Sequence, residues 1–144
     1  MAQIPRRLIV YGCALAVCGL AMGAGPDSLA IRGYDPVAYF TQQRATPGLP
    51  EFVYQWDEHR WQFASAQHRD LFKADPVKYA PQFANFCAVA LARGEVREAN
   101  PEYWLISDGK LYLFGKSIGP DVFRKDLKTL RERADQNRAL LPKP

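Results

Sequence analysis

The stretch EFVYQWDEHRWQFASAQHRDLFKADPVKYA, residues 51–80, decides the fold of this 144-residue chain. Phe52, Tyr54 and Trp56 alternate along its first arm, and Trp61 and Phe63 along the second. Aromatic residues at a period of two mark half-buried strands, and the charged step Asp57-Glu58-His59 between the arms makes the pair a hairpin over 52–63. The pattern then changes. Ser65 is placed to cap a helix over AQHRDLFKA, with Leu71 and Phe72 turned inward. Asp75-Pro76 opens a further short helical turn through Tyr79, closed by Pro81. A hairpin followed at once by short helices predicts an α+β fold.

The flanks extend that reading. In IRGYDPVAYF, residues 31–40, Gly33 and the Asp35-Pro36 step make a turn, and the alternation of Val37 and Tyr39 suggests entry into a strand. Thr46-Pro47-Gly48-Leu49-Pro50 reads as a loop. In PQFANFCAVALARG, residues 81–94, a helix is expected over 85–93, capped by Asn85 and stopped by Gly94. YWLISDGKLYLF, residues 103–114, is the clearest hairpin, because Asp108-Gly109 suits a type I′ turn between two β-rich arms. Beyond Gly119-Pro120-Asp121, the residues Phe123, Leu127, Leu130 and Ala134 fall on one face of an amphipathic helix. The expectation is a small single α+β domain of β-hairpins and short helices, with a C-terminal amphipathic helix and one core.

The N-terminus has three parts: MAQIPRR, then the apolar LIVYGCALAVCGLAMGA, then a polar boundary at GPDS. Basic, apolar and small-residue parts in that order are those of a secretory signal peptide over 1–24, leaving a domain over 25–144. The expected location is periplasmic or secreted, with membrane contact only through that segment if it stays uncleaved. Its removal takes Arg6 and Arg7 and no acid, lowering the net charge from +4 to +2. That balance, with no Lys/Arg block, speaks against a nucleic-acid partner. Cys13 and Cys18 leave with the signal, so Cys87 is the single thiol and no internal disulfide can form.

GYDPVAYF, then YQWDEHRWQFASAQHRDLFKADPVKYAPQF, then Phe86-Cys87-Ala88 together resemble the YHS domain, and more narrowly the small exported bacterial proteins built on it. The resemblance covers residues 31–94, and the hairpin and final helix over 101–141 resemble the tail those exported members share. Metal-handling members carry Cys after Asp-Pro-Val and two more in a Phe-Cys-Ser-x-x-Cys pattern, a thiolate set suited to a soft metal ion. The matching positions here are Ala38, Ala64 and His68, so two of the three cannot coordinate. The exported members read closer to Phe-Ala-Ser and Tyr-Gly-Gly-Tyr-Cys-Ala. Here the second piece is Phe83-Ala84-Asn85-Phe86-Cys87-Ala88, with the thiol kept and the glycines replaced. Relatives with selenocysteine at that position imply a redox role for Cys87.

Cys87 is thus the candidate redox thiol, and His68, Ser65 and Asp35 are candidates to line its site or to share a metal with it. In the first turn of a helix, the dipole would favour the thiolate; against that, a free cysteine among Phe86, Val89 and Leu91 packs as a small apolar residue. A His68–Cys87 pair would suit transient copper or an activated thiol, though position 68 is also an ordinary place for a surface histidine. Asp35 can cap the turn before Pro36, with Arg69 and Asp70 solvated, and His59 reads as a solvated turn residue. Trp56, Trp61 and the other large aromatics read as packing. No nucleophile–base–acid set, phosphate loop or zinc spacing is present, so the sequence does not show an enzyme. Three functions follow as expectations. The first is thiol redox or transient soft-metal handling through Cys87, with a periplasmic thiol, metal or protein partner. The second is a ligand- or protein-binding module whose cysteine is structural. The third is a thiol enzyme such as a peroxidase or reductase, against which the chain offers no resolving cysteine, so that its cycle would need an external thiol.

Overall fold

A computed structural model of the chain describes residues 28–142, so the expected signal segment and its two cysteines lie outside the described residues. Two antiparallel hairpins, β1 (Leu49–Trp56) with β2 (His59–Phe63) and β3 (Asn100–Ser107) with β4 (Lys110–Phe114), are set among short helices. The helices are α1 (Ala38–Thr41), α2 (Ala66–Ala74), α3 (Pro76–Tyr79), α4 (Ala88–Ala92), α5 (Gly119–Lys125) and α6 (Leu127–Gln136). A 3₁₀ turn at Ala30–Gly33 precedes them and another at Asn137–Leu140 follows. This is the small α+β domain expected.

The sequence signals act where they should in both hairpins and in α2 and α3. Asp108 and Gly109 both take positive φ between β3 and β4. Ser65 accepts the backbone N–H of His68 and Asp75 that of Lys78, each capping its helix. Strand β1 starts earlier than expected, at Leu49, which pairs with Phe63. Gly48 allows it: a Cβ there would stand 2.5 Å from the Gln62 carbonyl carbon.

Four expectations are corrected. Residues 37–40 enter a helix, α1, because Asp35 Oδ1 accepts the N–H of Val37 and of Ala38 and starts a helical turn. The cysteine segment is helical only from Ala88; Asn85 uses its carbonyl to accept the N–H of Ala99, and Cys87 takes the N-cap position. The last helix breaks at Asp126, where φ is −138°. Leu71 is exposed, and only Phe72 of that pair is buried.

The core also differs from the single mass expected. One cluster gathers Ile31, Val37, Tyr39, Trp61, Phe63 and Phe72, and a second gathers Phe83, Cys87, Leu91, Phe123 and Ala134. Strand β4 is their shared wall. Leu111 and Leu113 enter the first cluster, Tyr112 and Phe114 the second, as a period of two requires. Covered on both faces, β4 reads as an unbroken apolar run. Leu127 and Leu130 of α6 are half-buried against the second cluster beside the fully buried Phe123.

Tyr39 ties the two halves, donating its hydroxyl to the Pro101 carbonyl at 2.9 Å. Burial pushes its ionisation far above the ordinary value of 10.0. The unfolded chain loses this proton near pH 10 while the folded chain keeps it, so stability is full below that pH and falls as pH rises further. The expected slope from this residue is about 1.4 kcal/mol per pH unit. Tyr39→Phe should flatten the alkaline limb of urea-unfolding stability against pH; an unchanged limb would contradict it.

Candidate functional site

The expected site residues divide between two places. Asp35 is fully buried, and its Oδ2 accepts the Ala64 N–H at 2.8 Å and meets His68 Nδ1 at 2.6 Å. His68 Nε2 lies 3.1 Å from the Thr41 hydroxyl, which is also 3.2 Å from the Val37 carbonyl. The Thr41 hydroxyl carries one proton, so it donates either to the Val37 carbonyl or to Nε2 of a neutral ring that gives its Nδ1–H to Asp35. His68 is therefore buried, not a surface residue, and both its nitrogens are engaged. Ser65 is tied to the same place through its cap on the His68 N–H. Arg69 and Asp70 pair with each other at the surface.

Carboxylate, imidazole and hydroxyl in that order also make up an activated nucleophile. Here the carboxylate holds three backbone N–H groups as well, and the Val37 carbonyl competes with the imidazole for the Thr41 proton. The arrangement clamps α1 and β2 onto α2 and leaves the imidazole no open nitrogen.

Cys87 belongs to the other cluster. Its N–H donates to the Arg97 carbonyl and its carbonyl accepts the Leu91 N–H, but its side chain makes no capping bond. Phe83, Tyr112, Phe114 and Phe123 belong to the same buried cluster, and the residue is 9% exposed. On one side lies the exposed Gly115, where a Cβ would stand 3.9 Å from the sulfur. His68 is engaged at Asp35 and Thr41 while Cys87 sits in the other cluster, so the two residues weighed as a pair have separate partners. Among the described residues, no group of three His, Cys, Asp or Glu side chains converges as a metal site.

The concavity lies elsewhere. A cleft of about 520 Å³ opens between the β1–β2 turn, the 3₁₀ turn at Ala30–Gly33, the segment around Pro81–Asn85 and the C-terminal turn. Trp56, Trp61, Ile31, Val77 and Leu141 give it apolar walls, and Asp57, His59, Asn85 and Arg138 contribute polar groups. Trp61 donates its indole N–H to the Trp56 carbonyl at 3.0 Å, and the two rings stand 5.9 Å apart at 53°, forming a corner. His59 Nδ1 lies 2.7 Å from the Asp57 carbonyl. The guanidinium of Arg138 sits over the Phe83 ring and pairs with Asp135. Asn85 Oδ1 is buried with no hydrogen-bond partner.

The backbone around this cleft is unusual. Seven non-glycine residues take positive φ among the described residues. Ile31 (39°), Asp57 (49°) and Ala84 (49°) line the cleft, and Arg32 and Glu58 adjoin it. For a β-branched residue such as Ile31 this region is a strong outlier. Strain of this kind costs roughly 1–3 kcal/mol per residue and gathers at ligand sites.

The tryptophans are packing, as expected, with Trp61 in the first core cluster and Trp56 against it, and together with the turn residue His59 they also line the cleft. One signal could have found part of it: His59 and Trp61 share a face of β2 by alternation. Searches against protein-family models, curated proteins and solved structures find no match to this chain.

Proposed function

We propose that this protein is an exported binding module of YHS type that holds a small, largely apolar ligand in the cleft beside Trp56 and Trp61. The carrying observation is that left-handed, non-glycine backbone gathers at three separate walls of one concave, aromatic-lined cleft. Mostly apolar walls with a few polar groups are what small-molecule sites present. The YHS-type reading draws support from Ala84: its positive φ falls where the exported members carry the first glycine of their Gly-Gly pair. Asp35, His68 and Cys87 then serve as framework.

A neutral aromatic probe tests the cleft. Millimolar 2-phenylethanol should shift the indole N–H signals of Trp56 and Trp61 and the side-chain amide of Asn85 in the ¹H–¹⁵N spectrum, leaving the Thr41 and Ala88 amides unmoved. Val77 is an exposed part of the rim, so Val77→Trp should crowd the cleft without disturbing the core and weaken the probe severalfold. Absence of shifts at the tryptophans would sink the proposal.

Thiol chemistry at Cys87, with transient copper or an external thiol partner, is the second reading. One observation favours it: the exposed Gly115, which has no side chain, lies beside the sulfur, where a Cβ would stand 3.9 Å away. Rapid labelling of the native thiol would turn the choice toward it.

A further inference from the structure

We infer that the Trp56–Trp61 corner of the cleft selects a small organic ammonium ion, an inference that rests on the cleft being the binding site. The groups there offer electron density and acceptors. Trp56 is half-buried and backed by the buried Trp61 at a 5.9 Å centroid separation, and an aromatic face attracts cations through the ring quadrupole. Asp57, in the turn that joins the two strands, lines the same cleft, and its carboxylate has no ion-pair or hydrogen-bond partner among the described residues. Glu58 follows it with a second negative charge. His59 donates Nδ1–H to the Asp57 carbonyl, so the neutral ring presents Nε2 as an acceptor.

The positive groups nearby are already engaged or turned away. Arg138 is matched by Asp135 at 3.0 Å and seated on Phe83. Arg60 lies between His59 and Trp61 in β2, and alternation sends its side chain to the opposite face. What the corner lacks is a positive charge to match the Asp57 carboxylate. A primary alkylammonium or arylalkylammonium supplies both N–H donors and charge, with an apolar body to fill the space against Ile31, Val77 and Leu141.

The strained turn fits this assignment. Asp57 and Glu58 hold φ of 49° and 58°, a type of turn that Asn-Gly or Asp-Gly would form more readily. Two acidic residues stand there instead, and Asp57 lines the cleft beside the tryptophans.

Three probes of similar size separate the possibilities: phenethylammonium, 2-phenylethanol and 3-phenylpropanoate, each titrated against the ¹⁵N-labelled protein at low salt. Phenethylammonium should bind about threefold to tenfold tighter than the alcohol, and the carboxylate weakest. The preference should shrink in 0.5 M salt, where exposed charges are screened. Asp57→Asn removes the charge while keeping a residue that tolerates the left-handed turn, and should bring ammonium and alcohol within about twofold. Alcohol or carboxylate binding as tightly as the ammonium would overturn the inference, as would an ammonium preference undiminished in Asp57→Asn. If none of the three shifts Trp56 or Trp61, the cleft itself is not the binding site and the inference falls with it.

Discussion

Replacing Asp35 with alanine is expected to cost about 3–5 kcal/mol of folding stability, read as a large drop in urea midpoint. The carboxylate is wholly buried and accepts from Val37, Ala38, Ala64 and the His68 ring. Truncation leaves several buried donors without partners, and an unsatisfied buried donor costs about 1–3 kcal/mol. Against a total of about 5–15 kcal/mol for a domain, that loss brings the protein to the margin of folding. Asp35→Asn should fall between wild type and Asp35→Ala. It keeps Oδ1 for the start of α1 but sets an amide NH₂ against the Ala64 N–H and the His68 ring. A double-mutant cycle with His68→Ala should give a coupling of about 0.5–3 kcal/mol, the range for residues in one network. If Asp35→Ala lost less than about 1 kcal/mol, the clamp would not hold the fold. A loss of ligand binding at the cleft with stability unchanged would assign Asp35 to function.

How much of this was legible in the sequence depends on how local the cause is. Both hairpins were, since their alternation and turn chemistry lie within each segment. So were the Ser65 and Asp75 caps, which act over three residues. Residues 37–40 misled because alternation at Val37 and Tyr39 fits a strand, and the deciding fact is that Asp35 directs its carboxylate at the next two N–H groups. The burial of His68 was hidden for the same reason: its partners, Asp35 and Thr41, are 33 and 27 residues away in the chain. The two-sided burial of β4 was visible as the apolar run Leu111–Phe114 but not separable from a one-sided strand of high hydrophobicity. The cleft was the least legible. Its walls come from four separate stretches of chain, and its left-handed backbone falls on Ile31, Asp57 and Ala84, none of them the glycine that marks such a conformation.

The Cys87 thiol should react with a maleimide at least about a hundredfold more slowly in the folded protein than in the unfolded chain, because labelling must wait for local opening. The sulfur belongs to a residue that is 9% exposed and shares its cluster with four buried aromatic residues. Substitution should affect stability in a particular order. Cys87→Ala removes one buried heavy atom and leaves a small void, at about 1–2 kcal/mol. Cys87→Ser buries a hydroxyl, which alone would cost more, about 1–3 kcal/mol. Yet residue 87 is the N-cap of α4, and its own side chain makes no capping bond. A serine oxygen there can accept an orphan N–H of the first helical turn, a gain of about 0.5–2 kcal/mol. The serine variant should therefore be no less stable than the alanine variant, although the pocket is apolar. Urea unfolding of both variants, beside labelling of the wild type, checks the order. Fast labelling of the native thiol, with both variants as stable as wild type, would mean that the sulfur contributes little packing. Cys87 would then be the place to look for chemistry.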